Sequence, residues 1–423
     1  MINKLCAYFI VIGFLLAINS AAANEAAPGI TNFKKRFDQY TWVTAHNGYL
    51  DDMKVQLERG VRGFMLDLHP GNLHGGADAY ICHTTATSLC DVRKNMRFSD
   101  ALDKIFLPYL RKNPNAVVTL FLENYVNREN LGAALARVPD LASWVYHPVA
   151  GEENWPTLEQ MIKANKRLVI FTDSQSGVYQ INHQQLQLLK DNTWQTQNYW
   201  DLGITIFKHD WSCPSRWSGG YEQQVSANDF RGWNRLFVMN QFHTWGADPL
   251  HAASVDNNLT RLERRVDRYC KEAIGFRKAP NYLAVDFNKT GDVFSYAAAL
   301  TQGGFYFYEA NRANADQDTV CVLPAGANYN FKLPARGCEN DEIRSVKLRG
   351  VEKGTRIMLF DSKSGSTRDD FVIIDVKKTI GLNTQEVVID SLEKSSDSEF
   401  VRVTSAYKNG LDGKVSTIRI TKP

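Results

Sequence analysis

Two histidines, His46 and His83, and three acids, Asp67, Glu123 and Asp286, have the types that acid–base chemistry on a phosphodiester needs. His46 follows the apolar run Tyr40-Thr41-Trp42-Val43 in "TAHNGYL", and His83 lies in "AYICHTT". One imidazole can remove a proton from an attacking hydroxyl while the other protonates the leaving oxygen. A carboxylate behind the base fixes its tautomer, and Asp286, at the end of "YLAVD", is placed for that role. A metal ion or an arginine must offset the charge on the equatorial phosphate oxygens. In "VRGFMLDLHPGN" strand alternation sets Met65, Asp67 and His69 on one face. If that face is an interior, Asp67 and His69 reach its top and Met65 lies one layer below, with the "HPGN" turn keeping His69 near the rim. Each residue also has a bland reading: His83 beside Cys82 as a structural group, Asp173 and Asp210 as helix N-caps.

The elements that must carry these groups recur from residue 40 onward as short apolar, β-branched or aromatic runs. They are residues 41–46, 61–67, 116–123, 167–173, 203–210, 235–241, 282–287 and 304–311, with helical candidates at Met53–Arg59, Phe98–Arg111, Leu158–Ala164 and Ser254–Ile274. Near-continuous apolar strands alternating with helices indicate a parallel sheet buried on both faces. Eight of them in roughly 270 residues predict an α/β fold of the (β/α)₈ TIM-like barrel type, whose strand ends carry the chemistry. Here those ends hold His46, Asp67, Glu123, Asp173, Asp210 and Asp286. Past residue 311 helix signals stop. Short alternating runs separated by Gly, Asn, Asp and Ser turns predict a small all-β sandwich over 319–423.

The first residues read as an export signal. One lysine precedes the apolar stretch "LCAYFIVIGFLLA", and Ala21 and Ala23 suit cleavage after Ala23, giving a signal over 1–23 and a barrel over 24–312. Removing Cys6 with the signal leaves Cys82, Cys90, Cys213, Cys270, Cys321 and Cys338, an even set in an exported chain. Many connectivities are open; the pairs that respect the domain boundaries are Cys82–Cys90, Cys213–Cys270 and Cys321–Cys338. No thiolate metal spacing is present. The net charge of +3, with lysine and arginine scattered, gives no argument for nucleic acid.

Taken in order, "TAHNGYL", "QLERGVRGFMLDLH", "YICHTT" and "NPNAVVTLFLENYV" resemble the X region of phosphatidylinositol-specific phospholipases C, in its PLC-like phosphodiesterase branch. The likeness continues through "NWPTLEQMIKANKRLVIFTD" and "PNYLAVDF", from about Phe37 to Asn288. It implies that His46 and His83 are the catalytic pair and that Asp286 orients the first of them. It also implies that Asn47, Asp67 and Glu123 hold Ca²⁺, since metal-independent members carry arginine where Asp67 stands. Met65 departs from the pattern by replacing the first acid of the second-strand pair, and a thioether is a poor calcium ligand. The implied reaction is attack of a neighbouring hydroxyl on phosphorus, with phosphatidylinositol or a related lipid at a membrane surface as substrate. Glycerophosphodiesterases share the barrel but usually begin His-Arg-Gly, where this chain has Asn47.

Trp211, Trp217, Tyr221 and Trp245 are expected on rim loops, dipping into lipid or packing over the barrel top. "ENDEIRSVKL" resembles the βγ-crystallin calcium motif through Asn340, Asp341 and Ser345, with Arg344 as a departure and a partial second copy at 412–417. A Greek-key module with a glycan or cell-surface ligand is expected on that basis, beside the simpler reading of a stabilising appendage. The alternatives to a secreted phospholipase C are a glycerophosphodiesterase, a sphingomyelinase-D-like lyase, and a lipid- or glycan-binding protein on a decayed barrel.

Overall fold

The computed structural model describes residues 25–72, 78–84, 88–200, 202–203, 210–243, 248–274, 279–313 and 318–423. The signal expected over 1–23 and Trp245 lie outside them. The chain divides into two compact units, one of residues up to 196 with 222–236, the other of 197–221 with 237–423.

The first unit is built on parallel strands. β1 (Trp42–Ala45) pairs with β2 (Gly63–Pro70), on which β3 (Ala79–Ile81) folds back antiparallel and carries β4 (Met96–Arg97). β5 (Val118–Asn124) lies parallel to β2, and β6 (Leu168–Thr172) parallel to β5. The hairpin of β7 (Gly177–Ile181) and β8 (Gln184–Lys190) continues from β6. β1, β6 and most of β2 and β5 are buried, as their unbroken apolar runs require. The helix Met53–Arg59 starts where Asp52 accepts the main-chain N–H groups of Lys54 and Val55, and stops at Gly60, whose φ of 118° suits glycine.

One contact ties this framework to His46. A Cβ added at Gly63 would lie 2.2 Å from Thr44 Oγ1, its register partner across β1 and β2. Gly63→Ala is expected to push β1 away from β2 at about 1–3 kcal/mol, read as a lowered urea midpoint. Because His46 stands two residues after Thr44, activity should fall more than the stability loss explains.

After the three-residue β9 (Gln195–Gln197), the second unit holds β10 (Leu236–Gln241), parallel to β11 (Tyr282–Val285). The strand expected at 203–210 falls almost wholly outside the described residues. The expected helix Ser254–Ile274 is a series of helical segments, from Pro249–Asp256 through Leu259–Arg264 and a π turn to Lys271–Ile274. No helix among the described residues is long and apolar enough to cross a membrane.

The eighth apolar run departs from the expectation. β12 (Gly304–Tyr308) pairs antiparallel with β13 (Thr319–Pro324) and with β15 (Ser345–Arg349), so it belongs to the C-terminal β-module and makes no parallel ladder. That module has two antiparallel sheets. One runs β13-β12-β15-β18; the other contains β14 (Tyr329–Lys332), β16 (Arg356–Phe360), β17 (Phe371–Val376), β19 (Ser396–Asp397), β20 (Val401–Ala406) and β21 (Thr417–Thr421), with β18 being Val387–Ile389. Phe305 and Phe307 of β12 share one apolar core with Leu348, Leu359, Ile374, Val403 and Ile418. The chain is thus mixed α/β with several sheets.

All three disulfides form, as Cys82–Cys90, Cys213–Cys270 and Cys321–Cys338.

Candidate active site

The first unit brings most of the sequence-chosen residues to neighbouring strand ends. In the parallel ladder Asp67 is the register partner of Glu123, and Met65 that of Phe121, so each pair points to one face. Phe121 stacks on Phe171 of β6, with ring centroids 5.6 Å apart. Met65 therefore belongs to an apolar layer beneath the carboxylates. Met65 is half-buried there, so a thioether stands where the family pattern has the first acid.

Asp67 is the hub. Its Oδ2 lies 3.1 Å from His83 Nδ1 and accepts a 2.7 Å hydrogen bond from the Tyr49 hydroxyl, while the residue is buried. His83 reaches it because β3 returns antiparallel to β2 and Cys82 N–H donates to Asp67 O. An ionised carboxylate only accepts, so Nδ1 carries the proton and Nε2 is the atom that can exchange one. His83 itself is exposed. Burial, then the Asp67 charge, raises the Tyr49 phenol well above its ordinary pKa, so it stays a donor.

Tyr49 also donates to Asn47 Oδ1 at 3.2 Å. Asn47 has φ 45°, a left-handed conformation that asparagine tolerates, and it turns the chain sharply after His46. His46 is half-buried in the turn that follows β1. The exposed Glu123 accepts a hydrogen bond from the Tyr125 hydroxyl at its Oε1. Tyr49 and Tyr125 were missed in the sequence reading; both stand within the quoted motifs, two residues from a chosen ligand.

His69 is not on the rim. It is fully buried because β2 extends to Pro70 under β3 and the Tyr125 ring stacks on it at 4.3 Å. Burial lowers its pKa, against the pull of Asp67, the Ser88 main chain and Glu123. It packs against Tyr125, one alternation beyond Asp67 on β2.

In the second unit Asp286 follows β11, half-buried, and its main-chain carbonyl accepts from Asn257 Nδ2 at 2.9 Å. The rim aromatics are held rather than displayed. Trp211 lies half-buried under the guanidinium groups of Arg261 and Arg265, at 5.4 and 5.9 Å, and Arg216 covers Trp217. The Tyr221 hydroxyl donates to the carbonyls of Cys213 and Pro214. Asp173 and Asp210 cap no helix: Asp173 accepts Asn124 N–H, and Asp210 accepts Ser212 N–H in a local turn. One group was not foreseen as a partner: His243 Nδ1 lies 2.5 Å from Asp256 Oδ2, both buried.

In the C-terminal module the crystallin-like residues close loops. Ser345 Oγ donates to Ala310 O and accepts Ala313 N–H, Arg344 donates to the carbonyls of Glu309 and Glu342, and the Asp412 carboxylate accepts Leu392 N–H and Ser391 Oγ. Among the described residues the acids that do cluster are Asp361, Asp369 and Asp370, with ligand atoms within 4.8 Å of one another. Asp370 there already accepts the N–H groups of Lys408 and Asn409.

Asn47, Asp67 and Glu123 offer only oxygen atoms, the donor type a hard cation takes. Their number is below the usual six to eight, roughly, so water or substrate oxygens would complete the shell.

The family model described as PI-PLC X 1 matches residues 40–205. A PI-PLC X domain-containing protein of Arabidopsis thaliana is 25% identical over 363 residues, covering 78% of this chain and 72% of that protein. An uncharacterized secreted protein of Arthroderma benhamiae is 25% identical over 269 residues, 59% of this chain and 55% of its own length. Among solved structures, the phosphatidylinositol-specific phospholipase C from Listeria monocytogenes is similar at a TM-score of 0.40 and 15% identity, over 63% of this chain and 94% of that one. Over residues 40–205, then, where Asp67 on β2, Glu123 on β5, His46 just past β1 and His83 just past β3 are found, the chain matches the PI-PLC X family model.

Proposed function

We propose that the protein is an exported phosphodiesterase of the phospholipase C type that cleaves phosphatidylinositol or a closely related phospholipid at a membrane surface. The observation that carries this is the Asp67 carboxylate on His83 Nδ1, beside its register partner Glu123, within the PI-PLC X match. His46 and His83 form the acid–base pair. One takes the proton of the attacking hydroxyl as the new O–P bond forms; the other gives a proton to the alkoxide oxygen as the old P–O bond breaks. Asp67 orients His83. Asn47, Asp67 and Glu123 would hold a calcium ion, which when bound would offset charge on the phosphate oxygens.

The fold proposed around this site is a TIM-like α/β barrel that ends before β12, the run expected as its eighth strand, and follows a signal over 1–23. The Greek-key module over 319–423, completed by β12, would meet a glycan or other cell-surface ligand. Export is supported by the three disulfides and by the secreted fungal relative.

The test is incubation of the purified mature protein with phosphatidylinositol and competing phospholipids, with Ca²⁺ or with chelator. Formation of a cyclic inositol phosphate is expected, reduced at least about a hundredfold by His46→Ala and strongly by chelation. Turnover indifferent to chelator would sink the metal site. No cleavage of any phospholipid under any metal would sink the enzyme.

A further inference from the structure

Trp211, Trp217 and Tyr221 are held by arginines and carbonyls, yet large apolar side chains do stand in solvent, and three of them border one groove. The groove, of about 520 Å³, opens beside Tyr49 and His83 of the candidate site. Its walls include Leu50, Leu89 and Met96, which are 70%, 52% and 41% exposed, and its floor includes the buried Met53 and Ile81. A single exposed leucine is ordinary; three large apolar groups around one concavity with an apolar floor are not. The volume lies in the range of ligand clefts, roughly 300–1,000 Å³.

The wall is also fixed in place. Leu89 precedes Cys90, which is bonded to Cys82, and Cys82 precedes His83. Cys90 N–H donates to Pro70 O at 2.9 Å, and Asn72 N–H donates to Cys90 O at 2.9 Å, fastening the loop to the end of β2. The disulfide thus joins the segment that carries Leu89 to the residue before His83, the imidazole whose Nδ1 Asp67 holds.

We infer that this groove receives a hydrocarbon chain of the alcohol that leaves from phosphorus, with Leu50, Leu89 and Met96 as the residues that select for it. The inference rests on the phosphodiesterase reading above and adds where the lipid side of the substrate lies. His83 at the mouth of the groove then acts on the chain-bearing side of the scissile bond. The lining is mixed: the chain would lie along Leu50, Leu89 and Met96, over Met53 and Ile81, while Thr84, Asn95 and the ion pair Lys94–Asp91, at 3.6 Å, form the polar side.

The experiment compares a dihexanoyl phosphatidylinositol, kept monomeric below its micelle concentration, with glycerophosphoinositol, which has the same headgroup and no chains. Each methylene buried in the groove is worth about fourfold in binding. Leu89→Asn combined with Met96→Gln is expected to lower the kcat/KM ratio of the chained over the chainless substrate by about tenfold or more. An unchanged ratio overturns the inference. So does a loss seen only on vesicles, which would make these residues a membrane-docking surface. If the wild-type protein cleaves neither substrate, the phosphodiesterase reading fails and the groove is judged by binding. Dihexanoyl glycerophosphate should then bind His46→Ala protein at least about tenfold more tightly than glycerol phosphate, a preference the Leu89/Met96 variant loses. Equal affinity of the two phosphates overturns the groove.

Discussion

His83→Ala should lower turnover of phosphatidylinositol by about 10²–10⁴-fold, the usual contribution of a placed acid or base. The same substitution should cost far less on an aryl phosphodiester such as a nitrophenyl ester. A phenolate of low basicity leaves without being protonated, so a missing general acid is barely felt. His46→Ala, if His46 is the base, should impair both substrates alike. The contrast separates the two imidazoles, which their positions alone leave interchangeable. Nδ1 of His83 is 3.1 Å from Asp67 and cannot also serve the substrate, so the proton must pass through Nε2. Asp67→Asn tests that arrangement, because an amide can donate to Nδ1 and favour the tautomer with its proton on Nε2. Activity should fall, read as a lowered kcat/KM on phosphatidylinositol. An alkyl-substrate rate for His83→Ala within about threefold of wild type would remove His83 from the chemistry.

The strand pattern made much of this site legible. Alternation from Met65 to His69 placed Asp67 on the site face, and the β2–β5 register then set Glu123 beside it. Alternation also put Met65 one layer below Asp67, where its register partner is Phe121. What could not be read was how far each strand runs. His69 was assigned to a turn, but β3 extends the pairing to Pro70 and buries it. The same return strand makes the Asp67–His83 contact, between residues sixteen apart whose meeting depends on a hairpin rather than on periodicity.

The eighth run failed for a related reason. "GFYFY" is apolar at every position, which reports burial on both faces and nothing about the direction of its neighbours. A strand inside an antiparallel sheet that packs on both sides leaves the same trace as a parallel barrel strand. Its partners, β13 and β15, were legible as strands, and only their pairing with Gly304–Tyr308 was not. The tyrosines of that run carry the polar clue, because their hydroxyl groups need partners when buried. Tyr308 finds one in a glutamate on the helix Leu259–Arg264.

That glutamate makes the second large effect. Glu263 is buried, and its carboxylate accepts from Lys347 Nζ at 2.5 Å, Tyr308 Oη at 2.5 Å and Thr319 Oγ1 at 2.6 Å. Lys347 is equally buried, so the pair ties the helix to β12, β13 and β15 with little solvent screening. Lys347→Met should cost about 3–5 kcal/mol, because it strands a buried carboxylate. The double variant Lys347→Met with Glu263→Leu should recover much of that loss, since removing both charges also removes their desolvation. Urea unfolding of the single and double variants gives both numbers. A single-variant loss under about 1 kcal/mol would mean that water reaches the carboxylate. The neighbouring Asp267 adds a pH dependence. Burial alone would raise its pKa, but Arg349, through two hydrogen bonds, and Lys347 outweigh that and hold it below the usual carboxylate range. A depressed folded pKa contributes stability above the unfolded value, about 3.9, and that contribution is lost as pH falls through the folded one. The wild-type urea midpoint should therefore drop below about pH 4. Asp267→Asn should start lower at neutral pH and decline less steeply in acid; a parallel decline would place the acid-sensitive group elsewhere.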